Sequence, residues 1–125
     1  MPTLRTGVDL IEIERFASAY RQYDQRFLQR IFTPTELAEN GLNIASLAAR
    51  FAGKEAVAKA FGTGIGRVAW QDIEICRGLL GEPVLHLHGA AERMANEQHL
   101  DVWSISLSHT QSHAIAFVVA MSTQV

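Results

Sequence analysis

The 125-residue sequence contains one cysteine, Cys76, set in an apolar stretch. A single thiol cannot build an internal disulfide framework and suits a reducing compartment. Nor is there an excess of positive charge: eleven Lys and Arg face thirteen Asp and Glu, a formal net charge of -2. That balance argues against a general nucleic-acid binder. Uninterrupted apolar runs approaching 18 residues are missing, and the opening stretch MPTLRTGVDLIEIERF carries acids inside its apolar positions. Neither a membrane span nor a signal peptide is expected, so the expected setting is cytoplasmic. With 48% hydrophobic and 19% charged residues the chain is too apolar for disorder. Its length is that of one domain, taken as residues 1–125.

Thr3 to Ile13, rich in Val, Ile and Thr, predicts an opening strand. The period then changes: Ile13, Phe16, Ala17 and Tyr20 are three and four apart, so a helix follows over 12–30, broken near Asp24. Thr33-Pro34-Thr35-Glu36 has the form of a helix start, with a threonine cap, proline at the first turn and a glutamate reaching back. Asn40-Gly41 ends that short helix, Asn43 caps the next, and 44–61 runs on without proline until Gly62 stops it. Strands are expected over 72–77, 84–88, 102–108 and 114–121, with a short helix over 89–98 and a hairpin across Thr110-Gln111-Ser112. Helices mixed with antiparallel hairpins give an α+β class, an antiparallel sheet packed with a long helix.

Two carboxylates stand out. Asp9 sits among Val8, Leu10 and Ile11, where burying it alone is costly; the plainer alternative is an edge strand with Asp9 facing water. On the long helix, Glu55 falls within the arc of Phe51, Ala48 and Ala58, with Lys59 one turn on. Alone, that pair could be a salt bridge at the edge of the apolar stripe. Together, two carboxylates on different elements can share a hard divalent cation. Magnesium takes one or two carboxylates, several waters and substrate phosphates. Lys59 could then neutralise a phosphate. The Gly62 to Gly66 loop follows a helix and lacks the ending of a P-loop; it reads as a helix stop that also permits close backbone approach.

His86 and His88 share one strand face, and His109 and His113 have helical spacing in what reads as a strand turn. Neither pair brings the further ligands that zinc requires. Arg15, Arg21, Arg26 and Arg30 stand against Asp24 alone, a local basic patch that is either a solvated helix face or a docking surface for an acidic protein. The alternating strands around Trp103–Leu107 and Ile115–Val119 are long for so small a chain, which gives a motive for self-association.

Gly7-Val8-Asp9, Phe32-Thr33 with Glu36, Arg50-Phe51-Ala52-x-Lys54-Glu55-Ala56 with Lys59-Ala60-x-Gly62-x-Gly64, and Ser106-x-Ser108-His109 resemble the short, single-domain phosphopantetheinyl transferases, the holo-acyl-carrier-protein synthases. The resemblance runs nearly end to end. It implies transfer of 4'-phosphopantetheine from coenzyme A to a serine of apo-acyl carrier protein, by trimers with active sites between neighbouring subunits. It implies magnesium on Asp9 and Glu55, and catalytic roles for Asp9, Glu55 and Lys59. Coenzyme A would be seated by Arg50, Lys54, Lys59, Gly62, Gly64, Ser106 and His109, and the carrier docked by Arg15, Arg21 and Arg26. Either Glu55 or a metal-bound water would accept the serine proton. One departure is His113, where the family commonly has tyrosine. A non-catalytic coenzyme A or carrier-protein module, and a small magnesium-dependent phosphohydrolase, are the alternatives.

Overall fold

A computed structural model describes residues 3–123. Strand β1 (Leu4–Glu12) runs directly into helix α1 (Ile13–Ile31), whose path breaks at Asp24, with φ 56° and ψ -145°. Helix α2 (Pro34–Asn40) opens with the expected capping box: Thr33 Oγ1 accepts from the Glu36 amide, and Glu36 Oε1 accepts from the Thr33 amide. Asn43 caps α3 (Ile44–Phe61), accepting from the Ser46 amide at 3.1 Å, and Gly62 ends it at φ 84°, a left-handed position that favours glycine. A 3-10 turn at Trp70–Asp72, which the sequence reading missed, leads to β2 (Ile73–Arg77) and β3 (Pro83–Leu87). Helix α4 (Gly89–Glu97) and strands β4 (Val102–His109) and β5 (His113–Met121) complete the chain.

The strands form two antiparallel sheets: β1-β5-β4, and a separate β2-β3 hairpin. Helix α3 lies across the inner face of the first sheet. On β5 the inward residues Ala114, Ala116, Val118 and Ala120 are completely buried, three of them small enough to let the helix lie close. Contact with β1 is closer still. A Cβ at Gly7 would stand 1.8 Å from the Ala56 carbonyl oxygen, so only glycine fits there. Two residues on, with the same strand parity, Asp9 also points towards α3 instead of water. The sheet's other face is a different surface. Leu4, Val8, Leu10, Val102, Ile115, Phe117 and Met121 all point outward and are exposed, forming one apolar patch.

Candidate active site

From Ser46 to Phe61 every residue of α3 is buried except Phe51, Glu55 and Lys59. These three are spaced four apart, so they form one line along the helix. The reading of Glu55 as an acid inside an apolar stripe is thereby corrected. The helix is enclosed nearly all round by β1, β4, β5, β2 and α1, and Glu55 lies on its single open line.

Asp9 faces that line. Its Oδ1 accepts a hydrogen bond from Lys59 Nζ at 3.0 Å, and the same ammonium donates to the Val8 carbonyl at 3.0 Å. The other oxygen, Asp9 Oδ2, is buried and has no hydrogen-bond partner. Burial raises the carboxyl pKa of Glu55; the negative charge of Asp9 adds to the effect and Lys59 opposes it. A carboxylate oxygen left buried and bare beside a second, destabilised carboxylate is the environment a hard divalent cation relieves. The residues present fit such an ion, supplying two carboxylates and leaving its remaining positions to water and phosphate oxygens. Among the described residues no group of three or more His, Cys, Asp or Glu could hold a metal by itself.

Asp9 and Glu55 line a cleft of about 430 Å3. Its apolar wall is Ile11, Phe16, Ala19, Phe27 and Phe51, and Arg15 contributes a cation. The Phe16 ring contacts Phe27 at 5.4 Å and Phe51 at 5.6 Å, and Phe51 stacks on Trp70 at 4.9 Å, so the wall is braced. Of the other candidate docking arginines, Arg21 is ion-paired with Glu14, and Arg26 borders a separate groove with Tyr23, Phe27 and Arg30.

A second cleft, about 220 Å3, holds Arg50 and His109 with Ser46, Arg77 and Pro83. Arg50 is 6% exposed; its Nη1 donates to Ser46 Oγ at 2.9 Å, while its Nε is buried without a partner. Burial is the main cause lowering its pKa, and the neighbouring Arg77 lowers it further. Nothing in the local sequence marks Arg77 as part of this cleft. Its cue would have been a lone arginine on a strand opposite the helix that carries Arg50, which no local spacing shows.

Lys54 requires a correction. It is completely buried, with Nζ donating to Glu36 Oε1 at 2.8 Å, to the Trp70 carbonyl at 3.0 Å and to the Ile73 carbonyl at 2.5 Å. All three protons are used, and none is left for a ligand. Glu36 completes the knot, its Oε2 accepting from the Ile75 amide at 2.8 Å. The Lys-Glu-Ala motif thus contains a structural lysine followed by a site glutamate. Ser106 also stands apart, on the outer sheet face opposite Phe117, whereas His109 has the inward parity of Ile105 and Leu107. Gly62 and Gly64 lie just past Lys59, both with positive φ, at 84° and 69°. His88 Nε2 is 3.0 Å from Glu74 Oε1, and His113 Nδ1 is 2.8 Å from Ser112 Oγ at the β4–β5 turn.

The geometry defines an α+β protein with one site suited to a divalent cation and a second, cationic cleft suited to an anion. The model of the 4'-phosphopantetheinyl transferase superfamily matches residues 5–118, and the chain belongs to that family. More particularly, its relatives are holo-[acyl-carrier-protein] synthases. That of Herpetosiphon aurantiacus is 50% identical, over 94% of this chain and 98% of its own. That of Moorella thermoacetica is 44% identical, over 96% and 95%. Among solved structures, the Neisseria meningitidis synthase superposes with a TM-score of 0.85 at 38% identity, covering 93% of this chain and 96% of that one. The Helicobacter pylori synthase, in complex with coenzyme A, gives 0.85 at 30% identity, covering 92% and 98%.

Proposed function

We propose that this chain is a holo-[acyl-carrier-protein] synthase. It transfers 4'-phosphopantetheine from coenzyme A to a serine of apo-acyl carrier protein and releases adenosine 3',5'-bisphosphate. Family membership across most of the chain and relatives of that name at 44% and 50% identity support the reaction. The observation that carries the site is the bare, buried Asp9 Oδ2 beside Glu55.

Asp9 and Glu55 would hold magnesium, which supplies charge neutralisation to the pyrophosphate and orients it for in-line attack. The serine oxygen forms a bond to the phosphorus nearest the pantetheine, and the bond from that phosphorus to the bisphosphate oxygen breaks. Glu55, or a water held beside it, accepts the serine proton. Lys59, half-exposed and able to swing from Asp9, donates to a phosphate oxygen as negative charge moves to the leaving group. The cleft beside the carboxylates, apolar with Arg15 on its rim, receives the carrier segment that presents the serine, and Arg21 and Arg26 on the same helix favour an acidic carrier.

The site takes more than one copy of the chain. Arg50 and Lys59 are nine positions apart on α3, about 13.5 Å along the axis and half a turn round it. The pyrophosphate and 3'-phosphate of coenzyme A are separated by only a ribose, too short to span a buried helix. Arg50 and His109 of one copy would then serve the carboxylates of the next, with the exposed apolar sheet face as the contact between copies and a homotrimer as the assembly that the family resemblance implies. A lone cysteine supports a cytoplasmic setting, and no described helix is long and apolar enough to cross a membrane.

Chromatography of the nucleotide products tests the reaction. Adenosine 3',5'-bisphosphate is expected only when coenzyme A and apo-carrier are both present. Its release from coenzyme A alone would indicate a phosphohydrolase instead.

A further inference from the structure

Arg77 and Arg50 come from different elements, β2 and α3, yet converge on a single hydroxyl. Ser46 Oγ accepts from Arg50 Nη1 at 2.9 Å and from Arg77 Nη2 at 3.4 Å. Arg77 Nη2 also donates to Asn40 Oδ1 at 3.2 Å, and its backbone amide donates to Glu39 Oε1 at 3.1 Å. Among the described residues neither guanidinium has a carboxylate within ion-pair distance, although Glu36 and Glu39 are near enough to moderate the charge on Arg50.

Two like charges held close together by neutral acceptors alone, the shared Ser46 Oγ with the Ser46 carbonyl and Asn40 Oδ1, are an unfavourable arrangement for the chain by itself. Arg50 is the more constrained, nine-tenths buried with a bare Nε. Both guanidiniums line the 220 Å3 cleft, and His109 adds a third possible donor. An anion with several acceptor oxygens relieves all of these at once: it pairs the bare Nε, neutralises both charges and fits the volume.

We infer that Arg77 is a specificity-determining residue that, with Arg50, grips the terminal phosphate monoester of the nucleotide and so selects coenzyme A over its 3'-dephospho form. The inference rests on the synthase reading and supplies the second cation that Lys54, spent on Glu36 and two carbonyls, cannot be. Exposure suits Arg77 to the task, because it can close on a ligand while Arg50 is fixed from below.

The test compares wild type and Arg77→Ala in steady-state transfer with coenzyme A and with 3'-dephospho-coenzyme A, alongside calorimetric binding of adenosine 3',5'-bisphosphate and of adenosine 5'-monophosphate. Losing one charged hydrogen-bonding partner should cut the ratio of kcat/KM for the two coenzymes by roughly ten- to hundred-fold, through KM for coenzyme A and not kcat. Arg77→Lys should recover part of the ratio. An equal loss with both coenzymes, or an unchanged ratio, would overturn the inference. Should wild type transfer nothing, the synthase reading fails, and the binding arm still decides the anion site. A wild-type preference for the bisphosphate that Arg77→Ala abolishes supports the site, whereas no preference, or one that Arg77→Ala leaves intact, overturns it.

Discussion

Lys59 Nζ lies 3.0 Å from Asp9 Oδ1, and so neutralises one oxygen of a carboxylate whose other oxygen, Oδ2, is buried with no partner. The lysine alone does not complete Asp9. Asp9→Asn should therefore abolish divalent-ion binding and lower transfer by roughly a hundred-fold or more, the effect of losing several kcal/mol of charge stabilisation. The fold should persist, because the half-exposed Lys59 keeps the Val8 carbonyl as a partner. Transfer assays beside circular-dichroism melts check both parts; retained activity in a folded variant would remove Asp9 from the metal site.

Glu55 gives a pH signature in metal-free protein. Burial first, and Asp9 second, raise its pKa above the ordinary carboxylate value, against the pull of Lys59. Between those two values the native chain holds a proton that the unfolded chain has lost. The associated stability is fully present below the ordinary value and is lost as pH rises through the raised one. Urea melts in EDTA should show this decline for wild type, while Glu55→Gln should lose less across the same window. The difference should vanish below about pH 4, the unperturbed carboxylate range. If Glu55→Gln still bound magnesium and kept the full rate, the glutamate would not be the base.

Lys54 separates stability from binding. Lys54→Ala leaves Glu36 charged and buried, which typically costs about 3–5 kcal/mol. The double change Lys54→Met with Glu36→Leu should recover much of that loss, since no charge is left unpaired. Urea denaturation of the three proteins measures it. A stable Lys54→Ala protein with only a raised KM for coenzyme A would restore the lysine to the ligand set.

Much of this organisation is legible along the chain because its causes are local. Thr33-Pro34-Thr35-Glu36, Asn43 and Gly62 mark helix ends through hydrogen bonds that span three or four residues. The pairing of Asp9 with Glu55 could be suspected from two misplaced acids. Lys54 could not be told from a ligand, because its partners Glu36, Trp70 and Ile73 are brought to it only by tertiary packing. Arg77 went unseen for the same reason, and Ser106 is separated from His109 by strand parity within a motif that looks contiguous. The wheel around Glu55 misled because it assumes one exposed side, whereas α3 is enclosed on nearly all sides.

The proposed trimer, with each site completed between two copies, predicts complementation. Asp9→Asn and Arg50→Ala damage opposite halves of the site, so each protein alone should be severely impaired. Co-refolded in equal amounts, random trimers would restore about a quarter of the sites. Recovery should follow, and Phe117→Lys, placed on the exposed sheet face, should prevent both recovery and assembly in sedimentation runs. No recovery despite demonstrated mixed trimers would put the whole site within one chain.

The most direct measurement of the central claim is the intact mass of apo-acyl carrier protein after incubation with this protein, coenzyme A and magnesium, with a matched EDTA sample. The account predicts a gain of one phosphopantetheine, about 340 Da, with magnesium and none with EDTA. An unchanged carrier mass, with the protein folded and coenzyme A bound, would contradict it.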